Sequence, residues 1–233
     1  QERIVSMFRK PRIPAQVNLV GWSRGGISCH MLANAMAKDP VLRNVPVNIF
    51  AIDPVPGVGN VQAERIALAE NVREYVGFYS RDERSKGFAC VIPSVASGTQ
   101  ICIYPMPGRH ATLVGNASVD GASDGTVLKE PGLIVRHFAE VCLTRWGVQL
   151  GRQLALNDSQ LMKCHQAMAA AEAQYQAMRV KSYTVLTEGE KHDRLVHCGE
   201  DRTHFSKVCG DDYDPTEGLA LQRWDASTYK ALR

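Results

Sequence analysis

Six consecutive residues, Gly21-Trp22-Ser23-Arg24-Gly25-Gly26, carry the sharpest chemical signal in the chain. They fit G-x-S-x-G and lie between the apolar run Val17-Asn18-Leu19-Val20 and a stretch with helical spacing. A serine hydroxyl is a weak nucleophile. A tight strand-to-helix turn exposes it on a strained backbone, and glycines two residues to either side let strand and helix pass without Cβ clashes. The turn also brings the backbone N–H of Arg24 beside Ser23 Oγ as an oxyanion donor, and the helix N-terminus adds its partial positive charge. The competing reading is a glycine-rich connection or phosphate cradle. It lacks a G-x-G-x-x-G pattern and a lysine after the glycines.

Ser23 needs a histidine to take its proton, and that histidine needs a carboxylate to fix its tautomer. On a sheet with such an elbow the chain order is Ser, then Asp or Glu, then His, each on a loop after a later strand. Of the seven histidines, only His110 directly follows a strand-like run, in Tyr104-Pro105-Met106-Pro107-Gly108-Arg109-His110. His30 falls on the elbow helix pointing away from its tip, His137 inside a later helix, and His165, His192, His197 and His204 in the C-terminal region. Two carboxylates compete as the acid. Asp53 ends the run Val47–Ile52 and precedes Pro54, which forces a sharp exit from the strand tip. Asp82, in Tyr79-Ser80-Arg81-Asp82-Glu83-Arg84, is the alternative; its neighbours also suit a salt-bridged turn.

The elements that must position these groups alternate. Strands are expected at 17–20, 47–52, 72–79 and 101–104. A helix is expected after Ser23 with Ile27, Met31, Leu32, Ala35 and Met36 on one face, stopped by Lys38-Asp39-Pro40, and another over 133–146. Strands separated by helices or long crossings imply an α/β fold with a mainly parallel sheet and helices on its faces. Residues 1–150 form this core. In 151–233 the positions 161, 164, 168, 171, 175 and 178 give an amphipathic helix, followed by polar chain with no strand assigned, which reads as a helical and irregular C-terminal extension.

Composition narrows the function classes. Hydrophobic residues at 45% and charged residues at 22% are ordinary for a soluble globular chain, and a net charge of +3 argues against a dedicated nucleic-acid binder. The charge leaves room for peripheral contact with anionic lipid. No apolar run reaches membrane-spanning length, and no signal peptide opens the sequence. Seven scattered cysteines read mostly as free buried thiols of a reducing compartment, with room for one late disulfide.

The four ordered segments together resemble the α/β-hydrolase domain of lipase effectors delivered by bacterial type VI secretion, and the wider hydrolase family around them. That family shows a G-F-S-R-G elbow, a strand ending in F-D-x-V, a D-E-R-R-x-x-F segment, and a histidine after a strand ending in Pro and Gly. Here stand Gly21-Trp22-Ser23-Arg24-Gly25, Phe50-Ala51-Ile52-Asp53-Pro54-Val55, Asp82-Glu83-Arg84-Ser85-Lys86-Gly87-Phe88 and Pro105-Met106-Pro107-Gly108-Arg109-His110. Ile52-Asp53-Pro54 is also similar to the G-L-D-P acid segment of pancreatic-type lipases. The resemblance covers about residues 17–115. It implies Ser23 as nucleophile, Asp53 as acid, His110 as base, a lipid or other ester substrate, and a secreted effector with a secretion or immunity partner. Trp22 replaces the family's Phe, Pro54 its Thr, and Ala111-Thr112-Leu113-Val114-Gly115 its Ser-Asp-Val-Gly-Gly. Such folds carry several strands before the elbow strand, including the loop with the second oxyanion donor. Sixteen residues precede Val17, so another segment is expected to supply that part.

Weaker signals point to no cofactor. The spacings of His192, His197, Cys198, His204 and Cys209 match no paired zinc motif. The turn 116–125, with Asp120 and Asp124, reads as a glycine-rich loop before a calcium site. The 161–178 helix reads as a packing helix before a lipid-facing lid.

Overall fold

Residue type dictates the central layer: four runs rich in Val, Ile, Phe and Tyr form strands β1 (Val17–Trp22), β2 (Val47–Ile52), β3 (Val72–Ser80) and β5 (Gln100–Met106). In this computed structural model, which describes residues 12–85, 87–116, 127–180, 193–209 and 228–233, they make one sheet in the order β1-β2-β3-β5. Every pair is parallel. Their C-terminal ends therefore share one edge, and the loops leaving that edge meet.

Period-two alternation sends side chains to two separate cores. Val47, Ile49, Ala51 and Tyr75 pack with Cys29, Ala33 and Met36 of helix α1 (Arg24–Lys38). Phe50, Val76, Phe78 and Met106 face the other way. There they meet Ile134, Val135 and Phe138 of α3 (Glu130–Arg145), with Leu161, Met168, Tyr175 and Met178 from further along the chain. Helices thus cover both faces, with α2 (Ala63–Ile66) a single turn between β2 and β3. The elbow helix begins and stops where the residues require, but its inward face differs from the expected one. Met31 and Leu32 are exposed and Ala35 lies outside, whereas His30 and Asn34 are buried. The reason is hydrogen bonding. Asn34 Nδ2 donates to the carbonyls of Glu64 (2.9 Å) and Ala67 (2.6 Å), and its Oδ1 accepts from Ala69 N–H (3.0 Å). His30 Nδ1 donates to Arg65 O at 2.8 Å.

The apolar seam at 161, 164, 168, 175 and 178 is buried, but on two helices, α4 (Asp158–Ala170) and α5 (Glu172–Val180), broken at Ala171. A capping box between Asn157 and Gln160 starts α4. Beyond it the structure contains strands that the sequence did not announce. β6 (Leu195–Cys198) pairs parallel with β4 (Cys90–Ile92) and antiparallel with β7 (Asp201–His204), forming a second sheet. A short α6 (Phe205–Cys209) follows. Three- and four-residue strands with Arg, Thr and His among them carry too little alternation to stand out. Cys29, Cys90, Cys102, Cys142, Cys164 and Cys198 are free. Among the described residues no helix is long and apolar enough to cross a membrane, and no group of three or more metal-ligating side chains gathers. His192 and all but the first residue of the 116–125 turn lie outside the described residues.

Burial gives the fold a pH response. Desolvation lowers His30 from its ordinary 6.5 to about 4, against a smaller upward pull from the Arg65 carbonyl, and lowers His165 to about 3. The unfolded chain takes up protons that the fold refuses, so this stability is complete above about pH 6.5 and drains away as pH falls toward 4. Urea denaturation at pH 7, 5.5 and 4.5 should show the midpoint falling, and falling less in His30→Leu. Parallel declines in the two proteins would contradict this origin.

Candidate active site

Three strands of the large sheet, β1, β2 and β3, each hand the first loop residue to the neighbouring strand. Ser23 N–H donates to Ile52 O (3.0 Å), Asp53 N–H to Phe78 O (2.8 Å), and Arg81 N–H to Met106 O (2.7 Å). The loop beginnings are therefore fixed as steps of one ladder. Ser23 has φ 56° and ψ −128°, a conformation that L-residues adopt only when the surroundings impose it. Its carbonyl accepts from Gly26 N–H, Ile27 N–H and Val55 N–H, which ties the turn both to α1 and to the loop after Asp53. The N–H of Arg24 opens α1 ahead of the first helical hydrogen bond and has no acceptor among the described residues.

Asp53 is fully buried, also at positive φ (44°). Its Oδ1 accepts from Ser80 N–H at 3.0 Å, and its Oδ2 from Ser80 Oγ at 3.0 Å. Arg194 straddles both oxygens, Nη1 to Oδ1 at 2.5 Å and Nη2 to Oδ2 at 2.9 Å. Burial alone would push this carboxyl up. The Arg194 charge and the His110 contact overcome that and hold it well below the usual carboxylate range, so Asp53 is an anion throughout the working pH range.

His110 Nδ1 lies 2.6 Å from Asp53 Oδ2. A carboxylate only accepts, so Nδ1 carries the proton and Nε2 presents a lone pair. The imidazole is held on three sides. Its ring stacks on Trp22 at 4.9 Å between centroids and 28° between planes, Phe88 meets it edge-on at 5.0 Å, and its backbone N–H donates to Glu83 Oε2 at 3.3 Å. Trp22 Nε1 returns a bond to His110 O at 3.2 Å. The structure thus joins Asp53 to His110 and seats His110 on the residue preceding Ser23. No hydrogen bond links Ser23 Oγ to His110 among the described residues; such bonds are often loose before substrate closes the site.

Asp82 lies one strand further along and serves other partners. Arg81 Nε grips both of its oxygens (3.0 and 3.1 Å), Arg179 Nε reaches Oδ1 at 2.6 Å, and Gly108 N–H donates to Oδ2 at 2.8 Å. Its carboxylate shapes the loop that carries His110 without touching the imidazole. Glu83 does likewise through Arg109 and Ser85 N–H. The remaining described histidines stand apart: His137 accepts from Leu156 N–H and His165 meets the Tyr229 hydroxyl. Sequence reasoning missed Arg194 and Ser80. Arg194 lies 141 positions from Asp53 in a segment without clear periodicity, and no local signal marks it.

A scan of protein-family models finds no match to this chain, and a search of curated proteins finds none. What the site can do follows from its own geometry: a paired carboxylate and imidazole beside a serine on a strained turn, with a helix N-terminus behind it.

The glycines of the elbow are unequal. A Cβ on Gly21 would sit 2.4 Å from the Gly25 carbonyl carbon and oxygen, and one on Gly26 2.9 Å from Pro54 Cβ, whereas one on Gly25 would meet nothing within 4 Å. The expected symmetry about Ser23 thus holds on the strand side only. Gly21→Ala should destabilise the protein by about 1–3 kcal/mol or more through an unrelievable backbone clash. Gly25→Ala, in the first turn of a helix, should change stability by no more than about 1 kcal/mol. Thermal denaturation of the two variants checks this; equal losses would contradict the packing described.

Proposed function

We propose that the protein is a serine hydrolase that cleaves carboxylic esters of lipids through Ser23, His110 and Asp53. The observation that carries this reading is the 2.6 Å contact between His110 Nδ1 and a buried Asp53 carboxylate, with the imidazole stacked on the neighbour of Ser23. In the reaction Ser23 Oγ attacks the ester carbonyl while its proton passes to His110 Nε2. The imidazolium is stabilised by Asp53, and the tetrahedral oxyanion is received by Arg24 N–H at the start of α1. Collapse expels the alcohol with the proton from His110, leaving an acyl-Ser23 ester. Water, deprotonated by His110, then releases the acid and restores the serine.

The hydrolase-type arrangement of the sheet belongs to this proposal, supported by the order Ser23, Asp53, His110 after the parallel strands β1, β2 and β5, with β3 between the last two. A lipid-like acyl group is supported by the surroundings. A neighbouring cavity of about 310 Å³, with Pro56, Val58, Val61 and Leu195 but also Arg84, His197 and Arg202 on its walls, shares Glu83, Phe88 and Arg194 with the surroundings of the pair, though Ser23, Asp53 and His110 do not line it. Trp22 and Val20 are exposed beside the elbow. The resemblance to bacterial lipase effectors agrees with this substrate class and adds secretion and an effector role to the proposal.

Turnover of chromogenic esters and phospholipids tests the reading. Ser23→Ala and His110→Ala should reduce turnover to background, and Asp53→Asn should lower kcat by about 10⁴-fold through the wrong imidazole tautomer. Asp82→Asn should lose stability yet keep turnover at low temperature. Long-chain esters should be preferred over short-chain esters and acyl-thioesters. Unchanged turnover in Ser23→Ala would contradict the assignment.

A further inference from the structure

Arg194 immediately precedes β6 of the second sheet and is 1% exposed. Beyond its two bonds to Asp53, it donates through Nη1 to Ser80 Oγ (2.9 Å) and to the Ser80 carbonyl, and through Nη2 to Phe88 O (3.0 Å). It therefore binds three things at once: the acid of the pair, the end of β3 that also cradles that acid, and the loop whose Phe88 ring abuts His110. A planar fork matched to a carboxylate fixes the rotation of that carboxylate as well as its charge. Deep burial leaves little water to screen either effect.

The consequence for the base is electrostatic. A lone buried carboxylate would stabilise the imidazolium strongly. Here the guanidinium offsets the carboxylate's field at the same atoms. Around the pair also stand Glu83, which is paired with Arg109, and the buried Tyr75, Tyr79 and Cys90. None of these places a second cation on Asp53.

Resting on the triad reading above, we propose that Arg194 is a positioning residue. It holds Asp53 square to His110 Nδ1 and offsets its charge, so that the imidazole keeps the tautomer and orientation in which it can act as a base. The competence of the site thereby depends on the docking of the second sheet, which brings Arg194 in.

The test compares wild type, Arg194→Met and Arg194→Lys, each checked for folding by circular dichroism. The Nδ1 proton of His110 is followed by NMR, and phosphonylation by a fluorophosphonate is timed. In Arg194→Met the downfield proton resonance of His110 Nδ1–H, bonded to Asp53, should shift upfield or be lost to exchange. The maximal rate should fall about ten- to hundred-fold as Asp53 loses its alignment. Arg194→Lys keeps the charge without the fork: it should retain part of the Nδ1 proton resonance while its maximal rate falls. An Nδ1 proton resonance and a rate in folded Arg194→Met equal to wild type would overturn the role of Arg194. If Arg194→Met does not fold, a wild-type maximal rate in Arg194→Lys would overturn it equally. Failure of the wild type to react with the fluorophosphonate would overturn the hydrolase reading instead, and the Nδ1 proton resonance would still report on Arg194 by itself.

Discussion

A carboxylate with no exposed surface exists only where protein donors replace its water, and the rest of the site is arranged around that requirement for Asp53. Five donor groups converge on its two oxygens: Ser80 N–H, Ser80 Oγ, both Nη groups of Arg194, and His110 Nδ1. Remove them and the group would take up a proton or force the region open. Supplied together, they make Asp53 a fixed anion. A fixed anion in turn determines which nitrogen of His110 bears hydrogen. The tautomer that leaves Nε2 bare is thus a consequence of how a buried charge is satisfied.

Parallel topology makes this convergence economical. Because β1, β2, β3 and β5 all point the same way, Ser23, Asp53, Ser80 and His110 leave the sheet at one edge within consecutive loops. The backbone bonds from Ser23, Asp53 and Arg81 to the next strand then remove the freedom those loops would otherwise have. Arg81 and Arg179 on Asp82, with Arg109 on Glu83, repeat the logic one layer out. These buried ion pairs shape the His110 loop from beneath. Burial raises, and the guanidinium partners more than reverse, the proton affinities of Asp82 and Glu83.

Much of this was legible in the residues. The strand around Phe50, the elbow at Ser23 and the loop before His110 announce themselves because each is a local pattern: an apolar run, a glycine-bounded turn, a Pro-Gly exit. The choice between Asp53 and Asp82 as partner of His110 was not settled locally, since both follow strands in suitable order. Long-range contacts separate them: the imidazole meets Asp53, and two arginines with Gly108 N–H occupy Asp82. The inward face of α1 was misjudged because hydrophobicity ranks Met31 and Leu32 above His30 and Asn34. The carbonyls of 64–67 reward the polar pair instead. Arg194 lay beyond sequence reasoning altogether, because nothing within its own segment reveals that a carboxylate far along the chain needs a cation.

The central claim is that Ser23, and no other hydroxyl, is the group His110 and Asp53 serve. Peptide-level mass spectrometry of the protein after reaction with a fluorophosphonate tests it most directly. A single adduct on the Ser23 side chain, absent from protein unfolded before exposure, is the expected result. An adduct on another residue, or none from the folded protein, would contradict the account.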